Sequence, residues 1–165
     1  MSQDILLLTA LVAVILMGSA MCSGIEAALL AVNPLRVHEL ARRKPKVLGA
    51  RRLEKLRHRI GRTLTVVTIA NNSFNIFGSL MVGSYATYIF QDRIGNVKPI
   101  FFVGLTILVL LLGEIVPKAL GTRLALQISL TSAPVLDFLS IVMRPLLIVL
   151  ERLLPIITAK SELTT

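Results

Sequence analysis

The stretch ILLLTALVAVILMGSAMCSGI occupies residues 5–25 and has no charged side chain over 21 consecutive positions. A second uncharged stretch runs from Thr63 to Gln91, over 29 positions. An α-helix needs about 20 apolar residues, each rising roughly 1.5 Å, to cross the hydrocarbon core of a bilayer. Both stretches are long enough for this, with room for tilt. They predict membrane-spanning helices.

The composition of the 165-residue chain also indicates a membrane protein. Hydrophobic residues make up 55% of it, charged residues 16%, and the mean hydropathy is +0.79. The single cysteine, Cys22, excludes a disulfide framework within one chain. The N-terminus lacks the basic region of a cleavable signal, and its apolar run is longer than that of a usual signal. We therefore expect the first helix to persist in the mature protein.

The basic residues are concentrated in one segment of a chain whose net charge is +9. Eleven of the 18 Lys and Arg residues lie between Arg36 and Arg62, between the two apolar stretches. This pattern is typical of a cytoplasmic loop held near anionic headgroups of the lipid bilayer. Its apolar residues recur at mostly helical spacing, which predicts short amphipathic surface helices, broken once at Lys44-Pro45. Since no aromatic residues interleave with the basic ones, nucleic acid is not an expected partner.

The predicted fold is an all-α membrane protein with three transmembrane helices and amphipathic juxtamembrane or belt helices. The predicted spans one, two and three cover about residues 5–32, 63–90 and 99–117, and the cytoplasmic basic loop covers 36–62. The positive-inside rule places the N-terminus outside and the C-terminus in the cytoplasm. Residues 124–158 are mostly apolar but include Arg144, which would be costly at the bilayer centre. We expect amphipathic or re-entrant belt helices there, with a fourth full span as the alternative.

Polar clusters interrupt all three spans, where hydrocarbon offers no water to satisfy them. In span one, Ser19, Ser23 and Glu26 share a helix face at spacings of four and three. Two hydroxyls and a carboxylate on one face form a ladder of oxygen ligands. Alternatively, the serines bond back to carbonyls, Gly18 and Gly24 allow close packing, and Glu26 reaches the headgroups.

The second cluster lies in span two, where Asn71, Asn72 and Asn75 surround Ser73. Asn71 and Asn75 share a face at i, i+4, while Asn72 lies roughly 100° around the helix. One buried amide would be explained by an interhelical hydrogen bond, typically worth about 1 kcal/mol. Three of them favour a binding site.

The third cluster lies in span three, where Gly113 and Glu114 precede Pro117 and Lys118. Pro117 has no N–H and clashes with the preceding turn, which frees a carbonyl near Gly113. Gly113 also permits irregular backbone. A free carbonyl beside a carboxylate is a ligand set for a cation. The alternative is an ordinary helix end in which Glu114 pairs with Lys118.

The predicted topology brings the three clusters to a similar depth on the cytoplasmic side. Hydroxyl, amide, carboxylate and carbonyl oxygens suit a hard cation such as Mg²⁺, Ca²⁺ or Na⁺. Both histidines lie in the basic loop, so a zinc or copper site is not expected, and no nucleophile–base pair or phosphate loop suggests an enzyme. The predicted metal-site residues are Ser19, Ser23, Gly24, Asn71, Asn72, Asn75, Gly113 and Glu114, with Glu26, Ser73, Pro117 and Lys118 in supporting or hinge roles.

The three clusters resemble the membrane domain of the CorC/CNNM (cyclin M) family of magnesium transporters. The resemblance is carried by Ser23-Gly24-Ile25-Glu26-Ala27-Ala28, by Asn71-Asn72-Ser73-Phe74-Asn75 and by Gly113-Glu114-Ile115-Val116-Pro117-Lys118. It extends over nearly the whole chain, and the Gly-Glu-Ile-Val-Pro-Lys stretch is its most specific element.

The resemblance implies a homodimer in a bacterial or archaeal inner (plasma) membrane. It implies export of Mg²⁺ with Na⁺ as the counter-ion. Cytosolic nucleotide-binding CBS domains normally follow in this family, and we expect a chain ending at Thr165 to be a membrane domain without them. The alternative functions are a non-transporting membrane scaffold that senses Mg²⁺, and a cation channel.

Overall fold

The computed structural model describes residues 2–43, 49–89 and 97–159. Every described residue is helical except Val32, Asn33, Gly49, Arg59, Leu124 and Met143, which confirms the predicted all-α class. The helices are α1 (Ser2–Ala31), α2 (Pro34–Arg43), α3 (Ala50–His58), α4 (Ile60–Ile89), α5 (Val97–Leu108), a π-helical segment (Val109–Ile115), α6 (Val116–Arg123), α7 (Ala125–Val142) and α8 (Arg144–Ala159). The predicted break at Lys44-Pro45 lies outside the described residues, as do residues 91–96 of the polar turn that we expect over 91–98. The last two residues of that turn, Val97 and Lys98, instead begin α5.

Three helical stretches of the described chain are long and apolar enough to cross a membrane. They are Gln3–Ala31, Pro99–Arg123 and Ala125–Val142. The 30-residue helix α4 is also long enough, but the asparagines in its middle lower its hydropathy. Its pairing with α1 nevertheless extends across the bundle, with Gly78 against Ile15 and Thr68 against Glu26. These pairs run in opposite directions, so the two helices are antiparallel and α4 lies alongside the apolar length of α1.

The third rod of the bundle consists of α5, the π-helical segment and α6, and it runs parallel to α1. Gly113 lies against Ser19, and Gly121 lies against Gly24 further along both helices. The helix continues beyond the predicted end of span three near Pro117 and reaches Arg123. Pro117 lies in the first turn of α6, where the missing N–H of a proline is tolerated.

The basic loop forms the short amphipathic helices α2 and α3. Val37 on α2 and Leu53 on α3 are buried while the basic side chains face outward. Arg57 is the exception, since its guanidinium donates to the Leu29 carbonyl at 2.6 Å, near the end of α1. The apolar cluster around them contains Leu29, Val32, Val37, Leu53, Leu56, Val67, Ala133 and Leu136. This cluster and the helix-end hydrogen bond tie the basic helices to one end of the bundle.

The segment predicted to form belt helices consists of α7 and α8. Helix α7 packs against α1, α3 and α4, and it contributes Ala133 and Leu136 to the cluster shared with α3. Its 18 residues are also long and apolar enough to cross a membrane. The belt therefore stays a prediction. Within the bundle, α7 covers the end of the α1–α4 pair nearest the candidate site.

Candidate functional site

The centre of the candidate site is the hydroxyl of Ser19, a fully buried residue on α1. Its oxygen lies 3.2 Å from Asn71 Oδ1 on α4 and 3.3 Å from the carbonyl oxygen of Gly113 on the π-helical segment. Both neighbours are hydrogen-bond acceptors, whereas a serine hydroxyl carries only one proton. This proton satisfies one acceptor at a time. Three helices therefore bring a hydroxyl, an amide and a carbonyl oxygen to one buried point, and these are oxygen types that bind a hard cation.

The π-helical segment explains why backbone carbonyls are available to the serines. The N–H of Val116 donates to the carbonyl of Leu111, five residues back instead of the four of an α-helix. The Gly113 carbonyl would pair with residue 117 in an α-helix, but Pro117 has no N–H to donate. The carbonyl of Glu114 accepts a hydrogen bond from Ser23 Oγ at 3.3 Å. The distorted backbone thus supplies oxygens to both serines of α1.

Glycines allow the backbones of α1 and the third rod to approach this closely. A Cβ on Gly24 would lie 3.3 Å from the carbonyl oxygen of Pro117, and one on Gly113 would lie 3.3 Å from Ser19 Oγ. A Cβ on Gly121 would overlap the carbonyl oxygen of Gly24. Side chains at this crossing would push the helices apart and move the carbonyls away from the serines.

The asparagine cluster of α4 divides into an inner and an outer part. Asn75 lies one turn from Asn71, and its Oδ1 is buried with no hydrogen-bond partner among the described residues. Buried polar atoms usually have partners, so this is a further unsatisfied acceptor. Asn72 is exposed, and Ser73 bonds back to the Ile69 carbonyl at 2.8 Å. Of the predicted α4 residues, Asn71 joins the Ser19 cluster, and neither Asn72 nor Ser73 does.

The predicted carboxylates lie beside the oxygen cluster and already have partners. Glu114 Oε1 is 2.9 Å from Lys118 Nζ, and both side chains are 43% exposed. Glu26 Oε1 accepts a hydrogen bond from Thr68 Oγ1 at 2.9 Å. Glu114 therefore contacts Ser23 through its backbone oxygen, while its side chain makes the i, i+4 pair considered as the alternative from the sequence. This pair occurs on an irregular helix, not at an ordinary helix end.

Two elements of the site were not predicted from the sequence. One is the π-helical turn, and the other is Thr68, which faces Glu26 across the α1–α4 contact. Thr68, Asn71 and Asn75 are spaced by three and four residues, which is the signal that could have placed Thr68 on the same face. Within the described ranges, no three His, Cys, Asp or Glu side chains are grouped to hold a metal ion. The site there is built from neutral oxygens.

Comparison with known proteins agrees with this architecture. The domain family described as the cyclin M transmembrane N-terminal domain matches residues 10–164. The UPF0053 protein sll1254 of Synechocystis sp. is 36% identical over 148 residues, which cover 88% of this chain and 41% of that protein. The UPF0053 inner membrane protein YfjD of Escherichia coli is 30% identical over 129 residues, which cover 78% of this chain and 29% of that protein. The chain spans less than half the length of these curated relatives.

Proposed function

The chain belongs to the family of cyclin M transmembrane domains, and from this premise we propose that it is a transporter exporting Mg²⁺ in exchange for Na⁺. One observation carries the proposal: Ser19, Asn71 and Gly113 each bring an oxygen from a different helix to one buried point. Mg²⁺ binds oxygen ligands and gives up its hydration shell reluctantly. Retained water molecules would complete the coordination.

Neutral ligands suit transport better than a closed ring of carboxylates. Conduction requires binding that is favourable enough for the ion to enter and weak enough for it to leave. The dipoles of Ser19, Asn71 and Gly113 replace water without trapping the ion by full charge pairing. The Glu26 carboxylate, beside the cluster, supplies negative charge that attracts the ion towards these oxygens, and Glu114 adds to this charge when it is released from Lys118.

Opening of the site requires the helices to move. Ser19 and Ser23 are fully buried, and the contact between Gly24 and Gly121 closes one side of the cluster. Separation of α1 from the third rod would open the serine ladder, as expected for alternating access around a central site. The positions proposed to bend or slide are Gly18, Gly24, Gly113, Pro117 and Gly121.

The ion pair between Glu114 and Lys118 provides a basis for coupling to a second cation. In the described conformation, the Lys118 ammonium lies 2.9 Å from the Glu114 carboxylate. An arriving Na⁺ competes for the same carboxylate oxygens, and its binding would release the lysine. We include in the proposal the homodimer and the inner (plasma) membrane of a bacterium or archaeon.

The test is Mg²⁺ flux from liposomes containing the purified chain, with and without a Na⁺ gradient. Asn71→Ala removes a ligand from the cluster, and we expect flux to fall about ten-fold, the effect of losing roughly 1.4 kcal/mol of ion binding. Asn72→Ala is the matched control, because the neighbouring amide is exposed. Its flux should stay within about two-fold of the parent, the scale of an exposed substitution.

Other outcomes would identify a different function. Parent-like flux in both Asn71→Ala and Ser19→Ala would refute the assigned site. Mg²⁺ binding that depends on Asn71 but is accompanied by no flux would favour a sensing scaffold. Flux that depends on Asn71 but ignores the Na⁺ gradient would favour a channel.

A further inference from the structure

A separate cavity of about 370 Å³ lies where the end of α1 meets the start of α2 and the junction of α6 and α7. Arg36 on α2 and Arg123 on α6 both line this cavity, although they are far apart in the sequence. Arg36 also lines an adjoining groove of about 420 Å³, which runs along α2 as far as Arg43. The ion pathway proposed above uses none of these residues.

The two arginines carry positive charge that no protein group neutralises within the described ranges. Neither Arg36 nor Arg123 forms a hydrogen bond or an ion pair with another described residue. The nearest carboxylate in the groove, Glu39, is engaged by Arg43 at 3.0 Å. Two exposed guanidinium groups at one cavity form a site complementary to an anion.

The position of the cavity indicates which anion it fits. Arg36 follows the end of the apolar helix α1, and Arg123 ends the apolar stretch Pro99–Arg123. Both residues therefore lie near the ends of helical stretches that are apolar enough to cross a membrane. The rest of the cavity wall is largely apolar and includes Val32, Leu124 and Leu126. Guanidinium groups above an apolar wall suit a lipid phosphate with its acyl chains attached, more than a soluble phosphate.

The start of α7 adds backbone donors to the arginines. Leu124 precedes α7 in a non-helical conformation, and no side chain caps the helix. The first N–H groups of a helix have no acceptor within that helix, and they favour a negative charge. Ala125, Leu126 and Gln127, the first residues of α7, line the same cavity.

We propose that this cavity binds the phosphate of an anionic phospholipid headgroup, with Arg36 and Arg123 as its paired donors. The site joins a residue of the basic loop to one at the end of the third rod, so it is more specific than attraction of the loop to a charged surface. A bound lipid would hold α2 against the α6–α7 junction. The lipid site does not depend on ion transport, so disproof of this site would leave the proposed function unaffected.

The test is binding of phosphatidylglycerol or phosphatidylcholine to the detergent-purified chain, measured by native mass spectrometry. We expect the parent to bind phosphatidylglycerol preferentially, and Arg36→Gln/Arg123→Gln to lose roughly ten-fold or more in apparent affinity. Arg51→Gln/Arg52→Gln on α3 is the matched control. It removes the same charge from exposed residues outside the cavity and should bind like the parent. The single variants Arg36→Gln and Arg123→Gln should show intermediate losses of affinity. They provide the test if the double variant misfolds.

Three results would overturn the proposal. Equal losses in the cavity variant and the α3 control would indicate diffuse charge attraction instead of a site. Equal affinity for the two lipids in the parent would exclude recognition of the headgroup charge. Displacement of phosphatidylglycerol by millimolar inorganic phosphate would indicate a site for soluble phosphate.

Discussion

The contact between α1 and α4 has an apolar end and a polar end, and the two are built differently. At the apolar end, Ile15 packs on Gly78, and Leu8, Val82 and Ala86 complete a buried cluster. At the polar end, Ser19 meets Asn71 and the backbone of a third helix. Side-chain packing of this kind is a general means of pairing two helices in lipid. The polar end brings polar groups from three helices to one buried point, more than the pairing of two helices requires, and this is why we place the proposed ion site there.

The largest effect is expected where the third rod joins the polar end. Gly121→Val would place a branched side chain against the carbonyl of Gly24. Because this carbonyl belongs to the backbone of α1, it cannot easily move out of the way. We expect a loss of about 3 kcal/mol of stability, the upper end of the usual cost of overpacking, and little folded protein in size-exclusion chromatography. The control is Gly104→Val in the same rod, because a Cβ at Gly104 meets nothing within 4 Å. Equal yields of the two variants would mean that the close crossing is not needed.

The next effect separates function from stability at Asn75. Asn75→Ala removes a buried acceptor that has no partner among the described residues and introduces a better helix former. We expect the melting temperature to stay level or rise, because an unsatisfied buried group costs about 1–3 kcal/mol. Flux should nevertheless fall by up to about ten-fold, the effect of one lost ligand. A lower melting temperature with unchanged flux would make Asn75 a structural residue.

A smaller effect is expected at the ion pair beside the polar end. Lys118→Met leaves the half-exposed carboxylate of Glu114 without its 2.9 Å partner. A surface ion pair is worth about 1 kcal/mol or less, so the half-saturating Na⁺ concentration should fall by up to about five-fold. The measurement is Mg²⁺ flux as a function of Na⁺ concentration, with Lys118→Arg as the control that retains the charge. An increase in the half-saturating concentration would contradict competition between the lysine and the cation.

The smallest effect on transport is expected at the apolar end. Ile15→Val removes one methylene from the buried contact with Gly78. We expect a stability loss of about 1 kcal/mol, seen as a lower melting temperature. Flux should be unchanged, since no oxygen of the polar cluster is involved. A flux defect here as large as that of Asn71→Ala would remove the distinction between the two ends.

Much of this arrangement could be predicted from the sequence because it depends on helical spacing and topology. Ser19 and Ser23 share a face, Asn71 and Asn75 share a face, and Pro117 lacks the N–H that would pair with the carbonyl of Gly113. Three helices in alternating directions bring these positions to one level. These features place Ser19, Asn71 and Gly113 among the predicted site residues, without singling them out as its centre.

Other features depend on tertiary contacts that no local pattern records. The π-helical turn, which carries the Glu114 carbonyl to Ser23, has no signature in hydrophobic periodicity. The exposure of Asn72 and the back-bonding of Ser73 depend on where α1 lies against α4. The partner of the Glu114 side chain could not be chosen from the sequence either, since both a metal ligand and a pair with Lys118 fitted the spacing.

The central claim is that the oxygens around Ser19 bind the transported ion, and anomalous X-ray scattering from crystals grown with Mn²⁺ tests it most directly. Mn²⁺ takes the same oxygen ligands as Mg²⁺ and gives an anomalous signal. We expect a peak among Ser19 Oγ, Asn71 Oδ1 and the Gly113 carbonyl, bound directly or through one water molecule. A peak only at the carboxylates of Glu26 and Glu114, with none at these three oxygens, would contradict the claim.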